Sequence, residues 1–311
     1  MDLTKRIMPS LGAWILLLSV ACGSVYGNVQ FVISNGCPYT VWPGVLPNAG
    51  KPVLANGGLT LPPGQSSTID APAGWAGRFW GRTGCQFTSD GAGTCASGDC
   101  GGRLECQGVG STPPATLVEF TLQGTMGATQ DYYDVSLVDG YNIPVSVAPS
   151  GTASGACGVA SCAVDINSNC PSSLQVVDDG QVVSCKSACL AFQSSQYCCN
   201  GAYASPTTCT PTAYSEFFKS ACPDAYSYAY DDATSTFTCS SSQYTIVFCP
   251  SSTPSIASHS TRTSSGILPV NNTGDTGILD SRAWSGCTNM MTYQTMAIPI
   301  LFWLIFGFLA C

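Results

Sequence analysis

Histidine and charged side chains are scarce in this sequence. Its 311 residues include one histidine, and Lys, Arg, Asp and Glu together make up 9% of the chain. The histidine, His259, lies in a Ser/Thr/Pro-rich segment that has no apolar periodicity. Residues 28–249 contain no histidine, so Ser-His-Asp and Cys-His nucleophilic catalysis is excluded for this part of the chain. So few charges also argue against a disordered polyelectrolyte.

Basic residues are scarcer than acidic ones, with ten Lys and Arg against eighteen Asp and Glu. This balance disfavours a nucleic-acid partner. The sequence has no Walker-type loop and no dinucleotide fingerprint, and cysteines interrupt its most Gly-rich segment, Gly91 to Gly102. We therefore expect no cofactor.

Cysteine, in contrast, is abundant, and nineteen copies suit an oxidising compartment. Three lie near the ends of the chain, at Cys22, Cys287 and Cys311. The sixteen from Cys37 to Cys249 are an even number, which fits eight disulfides. Disulfides are a better explanation than an all-cysteine zinc site around Cys198 and Cys199, so we expect no metal.

Residues 1–27 have the pattern of a secretory signal peptide. Lys5 and Arg6 precede an apolar run from Leu11 to Val20, and Gly27 ends a plausible cleavage site. A transmembrane anchor is the alternative, but the run is shorter than the roughly 20 residues needed to span a bilayer.

The C-terminal region predicts a lipid anchor. A run of small residues at Ser285 is followed by a polar spacer and then by the apolar segment Ala297 to Ala310. This order is typical of a GPI signal, so residues 286–311 are predicted to be its removed propeptide, attached at Ser285 or else at Gly286 or Asn289. A short membrane helix and another kind of cleaved propeptide are the alternatives.

Residues 251–285 are rich in Ser, Thr, Pro and Gly, and we call them the stalk. Such a composition buries too little apolar surface to offset chain entropy, which predicts an extended segment. Asn271 begins an Asn-Asn-Thr sequon and is the predicted glycosylation site.

Residues 28–250 contain short strand-like runs bounded by Gly, Pro and Asn. The clearest are 28–34, 39–42, 117–122, 132–138, 143–147 and 244–248. Alternation in two of these runs places Glu119 and Asp134 on the face opposite to Phe120 and Tyr133. An antiparallel sandwich or barrel with an acidic face is therefore predicted. A helix capped by Thr210 and a shorter helix within 184–192 belong to a predicted disulfide-rich lobe at about residues 164–222.

Carboxylates are the remaining candidates for chemistry. Residues 28–249 contain fifteen acidic and six basic side chains. Two carboxylates suffice for glycoside hydrolysis, and Glu119, Asp134 and Asp139 are candidates for this role. A solvated acidic face or structural loop capping explains the same residues.

Several segments together resemble thaumatin-like proteins, the fifth pathogenesis-related class of plants. The resemblance spans residues 28–250 and retains all sixteen cysteines. Ser97 stands where the signature usually has Thr, a conservative exchange. The segments that carry the resemblance are 91–102 with Cys106 (GAGTCASGDCGG), 35–44 (NGCPYTVWPG), 79–85 (FWGRTGC), 134–142 (DVSLVDGYN) and 222–228 (CPDAYSY).

The resemblance implies a fold and a set of disulfides. The fold is a mainly β, flattened sandwich with a disulfide-rich second lobe and a small third lobe. The implied disulfide pairs are Cys37–Cys249, Cys85–Cys95, Cys100–Cys106, Cys157–Cys239, Cys162–Cys222, Cys170–Cys185, Cys189–Cys198 and Cys199–Cys209.

The resemblance also implies an acidic cleft between the first two lobes. Its residues here are Arg78, Glu119, Asp134, Asp139 and, less securely, Asp231, to which Asp232 is adjacent. Arg78 is expected to orient neighbouring carboxylates through bidentate bonding and to hold them ionised.

We expect a monomeric protein that is GPI-anchored at the cell surface, or that lies in the cell wall or apoplast if it is released. We expect it to bind β-1,3-glucan or a related wall polysaccharide and to be antifungal. A weak endo-β-1,3-glucanase, with Glu119 as general acid and Asp134 or Asp139 as nucleophile or base, is the alternative. A protein-ligand or inhibitor module is a further alternative.

Overall fold

The computed structural model describes residues 28–123 and 129–251. Apart from Ser251, the predicted signal peptide, stalk and anchor propeptide, with Asn271 and Ser285, lie outside the described residues. Within the described ranges, no helix is both long and apolar enough to cross a membrane.

Strands dominate the described part of the chain. Their bounds are β1 Val29–Asn35, β2 Trp42–Pro47, β3 Ser66–Ala71, β4 Ala76–Arg82, β5 Gln86–Phe87, β6 Gly93–Thr94, β7 Leu117–Thr121, β8 Asp131–Ser136, β9 Val145–Ser154, β10 Ala160–Cys162, β11 Gln175–Asp178, β12 Gln181–Cys185 and β13 Phe237–Phe248.

The helices are short. The α-helices are α1 Ala188–Phe192, α2 Ser195–Cys198, α3 Ala213–Ala221 and α4 Asp232–Ser235, and the 3-10 helices are Ala55–Gly57, Asn167–Asn169 and Gly201–Tyr203.

The long strand β13 connects two layers of strands. One edge of β13 pairs with β9, while its other edge pairs first with β8, through 237–239, and then with β1, through 243–248. The order of hydrogen-bonded strands is β10-β9-β13-β8-β7-β4-β2, and β1, which also pairs with β13, pairs with β3 on its other edge. The layer that contains β1 and the layer that contains β4 and β7 then face each other, as the predicted sandwich requires.

Aromatic side chains fill the space between the two layers. Phe31 on β1 lies 4.8 Å from Phe79 on β4 and 4.6 Å from Phe120 on β7, measured between ring centroids. All three side chains are buried. Tilted and edge-on contacts of this kind add about 0.5–1.5 kcal/mol per pair beyond area burial.

A buried carboxylate lies where β13 changes partner. The side chain of Asp131, at the start of β8, accepts hydrogen bonds from the backbone N–H of Gln123 (2.7 Å) and Ser241 (3.3 Å) and from the hydroxyl of Tyr244 (2.6 Å). The register of β13 against β9 shifts between Ser241 and Gln243 at the same place. Asp131 therefore supplies acceptors for donors that the divided sheet leaves buried.

The eight disulfides join the same pairs that the resemblance implies. Cys37–Cys249 has a sequence separation of 212 residues. Its two cysteines follow β1 and β13, which run parallel with Asn35 opposite Phe248. Because parallel neighbours end on the same side of a sheet, this pairing brings the two ends of the domain together. It is also an exception to the predicted antiparallel arrangement.

Two predicted helix starts are wrong by a few residues. The N-cap of α3 is Thr212, not Thr210, because Thr212 and Ser215 form a reciprocal capping box. The predicted helix within 184–192 begins only after Ser187, whose hydroxyl accepts from the Leu190 N–H. Residues 184–185 belong to β12 instead.

Candidate functional site

Three charged side chains form a row across neighbouring strands. Arg78 on β4 is directly opposite Glu119 on β7, and Glu119 is directly opposite Asp134 on β8. Directly opposed side chains share one face of a sheet, with Cβ atoms about 4.5–5.5 Å apart. Because the alternate residues of these strands face the aromatic core, the row lies on the outer face of the layer.

A turn after β8 adds a fourth residue. Asp139 precedes Gly140, whose N–H donates to the carbonyl of Leu137 at 2.9 Å. Gly140 has a φ of +83°, and a Cβ there would lie 2.7 Å from the carbonyl oxygen of Cys185. The position therefore favours glycine, and this tight turn directs the chain so that Asp139 lies beside the row.

The carboxylate of the fifth predicted residue, Asp231, is occupied by contacts within its own loop and with α3. The carboxylate of Asp231 accepts from the N–H and the hydroxyl of Ser227, both at 3.0 Å, and pairs with Lys219 at 3.0 Å. These contacts hold the loop of residues 227–231 against α3. Its neighbour Asp232 lies on the wall of the cavity that contains the row.

The cavity has a volume of about 410 Å³ and is acidic. Four carboxyl groups and one guanidinium group lie on its wall. The lining residues are Arg78, Leu117, Glu119, Asp134, Ser136, Val138, Asp139, Tyr226, Ala229 and Asp232.

Tyr226 is a lining residue that the sequence analysis did not single out. Its backbone N–H donates to the carbonyl of Val135, and its carbonyl accepts from Leu137, each at 2.8 Å. Its hydroxyl donates to Asp232 at 2.9 Å. Burial, as the largest cause, raises the pKa of Tyr226 to about 12. The segment 222–228 was part of the family resemblance, but its pairing with β8 depends on contacts distant in sequence.

Among the described residues, Arg78 makes no bidentate pair with a carboxylate. Its Nε lies 3.8 Å from Oε1 of Glu119, beyond hydrogen-bond distance, with the two side chains 33% and 37% exposed. Within the described residues, the buried Nε of Arg78 has no hydrogen-bond partner, and neither does Oδ1 of Asp134. The site therefore retains unused hydrogen-bonding capacity.

The carboxyl groups of the row hold protons more tightly than usual. Burial, followed by the neighbouring charge of Glu119, raises the pKa of Asp134 to about 8, although Arg78 acts in the opposite direction. Burial also raises the pKa of Glu119, against the lowering effect of Arg78. For Asp134, the expectation that Arg78 keeps the carboxyl group ionised is thus wrong, because desolvation outweighs the attraction of Arg78.

At neutral pH the site can both donate and accept hydrogen bonds. Protonated Asp134 and the Arg78 guanidinium are donors, whereas the remaining carboxylates are acceptors. Within 28–123 and 129–251, no cluster of His, Cys, Asp and Glu side chains is arranged to hold a metal ion. The chemistry available to the described site is hydrogen bonding, electrostatics and proton transfer.

Known proteins share the sequence pattern of this chain. The Thaumatin family model matches residues 35–250. The chain belongs to the thaumatin family. Pathogenesis-related thaumatin-like protein 3.5 of Cryptomeria japonica is 54% identical over 246 residues, covering 79% of this chain and 100% of that protein. Pathogenesis-related protein 5 of Arabidopsis thaliana is 54% identical over 236 residues, covering 76% and 96%.

Among solved structures, the thaumatin-like xylanase inhibitor TLXI is similar, with a TM-score of 0.39 and 24% identity over 71% of this chain and 99% of that one. This similarity is too low to bear on function. Two of these relatives carry pathogenesis-related names, and both are plant proteins.

The raised pKa of Asp134 predicts how stability depends on pH. Its folded pKa of about 8 is above its ordinary value of 3.8, so the wild type loses stability as pH rises from about 4 through about 8. Asp134→Asn removes this loss. Allowing for solvent in the open cavity, we expect the variant to gain about 1–3 kcal/mol relative to wild type between pH 4 and pH 9.

Guanidinium unfolding at both pH values measures this difference. Asp178→Asn, at an exposed position on β11, is the matched control and should show no such gain. Parallel pH dependence in wild type and Asp134→Asn would contradict the assigned protonation.

Proposed function

We propose that this protein is a secreted, defence-type protein that binds β-1,3-glucan or a related wall polysaccharide through its acidic cavity, and that it is antifungal. The row formed by Arg78, Glu119 and Asp134, with unpartnered atoms on Arg78 and Asp134, carries the proposal. The pathogenesis-related names of the relatives support it.

Sugar hydroxyls match the site chemically. Each hydroxyl can donate one hydrogen bond and accept two, so it can satisfy a carboxylate and a guanidinium together. The cavity combines several acceptors with the donors of Arg78 and protonated Asp134. Its volume of about 410 Å³ lies within the range of about 300–1,000 Å³ that is typical of ligand pockets.

Binding to insoluble β-1,3-glucan tests the proposal. We expect Glu119→Gln to weaken binding about 10-fold or more, because one charge-assisted hydrogen bond contributes about 1.5–3 kcal/mol. Co-sedimentation of the purified protein with curdlan gives the affinity, and Asp178→Asn should bind like wild type. Wild-type protein that stays in the supernatant would overturn the proposal, as would equal binding by Glu119→Gln.

A weak endo-β-1,3-glucanase is the second candidate, and the protonation of Asp134 favours it. A carboxyl group that keeps its proton near neutral pH can serve as general acid beside a second carboxylate. This assigns the acid role to Asp134 and the nucleophile role to Glu119, the reverse of the expectation from sequence. Directly opposed strand positions have Cβ atoms about 4.5–5.5 Å apart, which is close enough for the two carboxyl groups to act on one glycosidic bond.

Hydrolysis of laminarin tests this candidate. Loss of a general acid costs about 10²–10⁴-fold in rate, so Asp134→Asn should release almost no reducing ends. The wild-type rate should fall as pH rises through about 8, where Asp134 loses its proton. Wild-type release no faster than that of Asp134→Asn and Glu119→Gln would eliminate the enzyme.

For the cellular location, we propose a GPI anchor attached at Ser285 on the outer face of the plasma membrane. The small-residue site, spacer and apolar tail of residues 285–310 support this. Phosphatidylinositol-specific phospholipase C should release the protein from membranes of the producing cells. Ser285→Leu should reduce surface display, unless Gly286 or Asn289 is the attachment residue. Retention of wild-type protein after cleavage of a control anchored protein would favour a membrane helix.

A further inference from the structure

A second cavity, of about 490 Å³, lies between the start of β2 and the disulfide-rich lobe. Residues before and within β2 form one wall, and the 3-10 helix Asn167–Asn169 and strand β12 contribute the other. The lining residues are Tyr39, Thr40, Trp42, Thr83, Gly84, Ala96, Asn142, Asn167, Val182 and Val183. We call this the aromatic pocket.

The aromatic pocket is separate from the acidic cavity. The two share no lining residue. In the pairing of β2 with β4, Trp42 is opposite Arg82, whereas Leu46 is opposite Arg78. These positions are four residues apart along the strands, or about 13 Å at about 3.3 Å per residue. A ligand in one cavity therefore contacts side chains that the other does not use.

The lining of the aromatic pocket carries no charged side chain. It combines two aromatic rings with hydroxyl and amide groups. Tyr39 is 46% exposed. Among residues 28–123 and 129–251, the hydroxyl of Tyr39 makes a single long contact of 3.7 Å, to the sulfur of Cys249. Both its ring and its hydroxyl are available to a ligand.

The indole of Trp42 is also available. The two buried tryptophans, Trp75 and Trp80, donate their N–H groups to backbone carbonyls at 3.1 and 2.8 Å. Within the described ranges, the N–H of Trp42 has no such acceptor, although its ring is supported edge-on by Phe87 with centroids 6.3 Å apart. A supported ring with a free donor is suited to a ligand that has an apolar face and a hydroxyl edge.

Both walls of the pocket are rigidly held. On one side, the buried amide of Asn35 donates to the carbonyls of Tyr39 and Leu61, each at 2.8 Å, and the Cys37–Cys249 disulfide closes the same segment. On the other side, the amide of Asn167 donates to the carbonyls of Asn142 (3.0 Å) and Val183 (3.2 Å). Little conformational freedom remains to be lost on binding, which favours affinity.

We propose that the aromatic pocket binds a pyranose ring of a neutral oligosaccharide. The apolar face of the ring stacks on Tyr39 and Trp42, and its hydroxyls bond to the Trp42 N–H and the hydroxyls of Thr40 and Thr83. The uncharged lining selects against acidic and basic ligands, since a charge there would be desolvated without a partner. This site goes beyond the proposed function, because it requires no residue of the acidic cavity.

The test is a titration of the purified mature protein with three neutral probes: laminarihexaose, cellohexaose and xylohexaose. For at least one probe, we expect Tyr39→Ala to weaken binding about 10-fold. Trp42→Phe, which keeps a ring but removes the donor, should weaken it by a smaller factor. Phe192→Ala is the matched control, since Phe192 is an exposed aromatic (41%) elsewhere in the lobe and should have no effect.

Two further measurements separate this site from the acidic cavity. Binding that is lost in Tyr39→Ala but kept in Glu119→Gln supports the aromatic pocket, even if the acidic cavity binds no glucan. Its dissociation constant should stay constant between about 0.02 and 0.5 M NaCl, because the lining has no charge for salt to screen. The proposal is overturned if none of the probes binds, or if Tyr39→Ala binds all of them like wild type.

Discussion

The buried carboxylate of Asp131 is the interaction on which the two-layer arrangement depends. A sheet can divide into two layers only where one strand exchanges its neighbour, and β13 does so between β8 and β1. Such an exchange leaves buried backbone donors without ladder partners, at a cost of about 1–3 kcal/mol each. Asp131 accepts from the N–H groups of Ser241 and Gln123 and from the Tyr244 hydroxyl at this place, so it satisfies these three donors.

The aromatic core and the acidic cavity are two consequences of this division. Once β1 lies across β4 and β7, the inward residues of those strands pack against Phe31. The alternation of the strands then places Arg78, Glu119 and Asp134 on the outer face, where the segment around Tyr226 covers them. Partial cover explains the protonation of Asp134, because desolvation of its carboxyl group outweighs the attraction of Arg78. A fully exposed face with the same residues would remain ionised.

The aromatic pocket depends on the same scaffold but on different contacts. It lies where the lobe meets the start of β2, and the Asn35 and Asn167 amides hold its two walls. The protein thus offers one acidic and one neutral cavity with separate linings. A long wall polysaccharide presents many identical rings, so the two proposed sites on one rigid domain would together bind it more tightly than either site alone.

Period-two alternation correctly indicated which side of β7 and β8 faces the core, because it depends only on neighbouring residues. The cysteine count likewise indicated eight disulfides. The α3 cap was misplaced because Thr210 and Thr212 are both capable caps, and the choice depends on the reciprocal bond with Ser215. Asp232 lines the cavity while Asp231 pairs with Lys219, a residue of α3. The geometry of Arg78 depends on the pairing of β4 with β7, and the protonation of Asp134 depends on burial. Those are decided only when the layers pack, because desolvation and long-range pairing have no local signature.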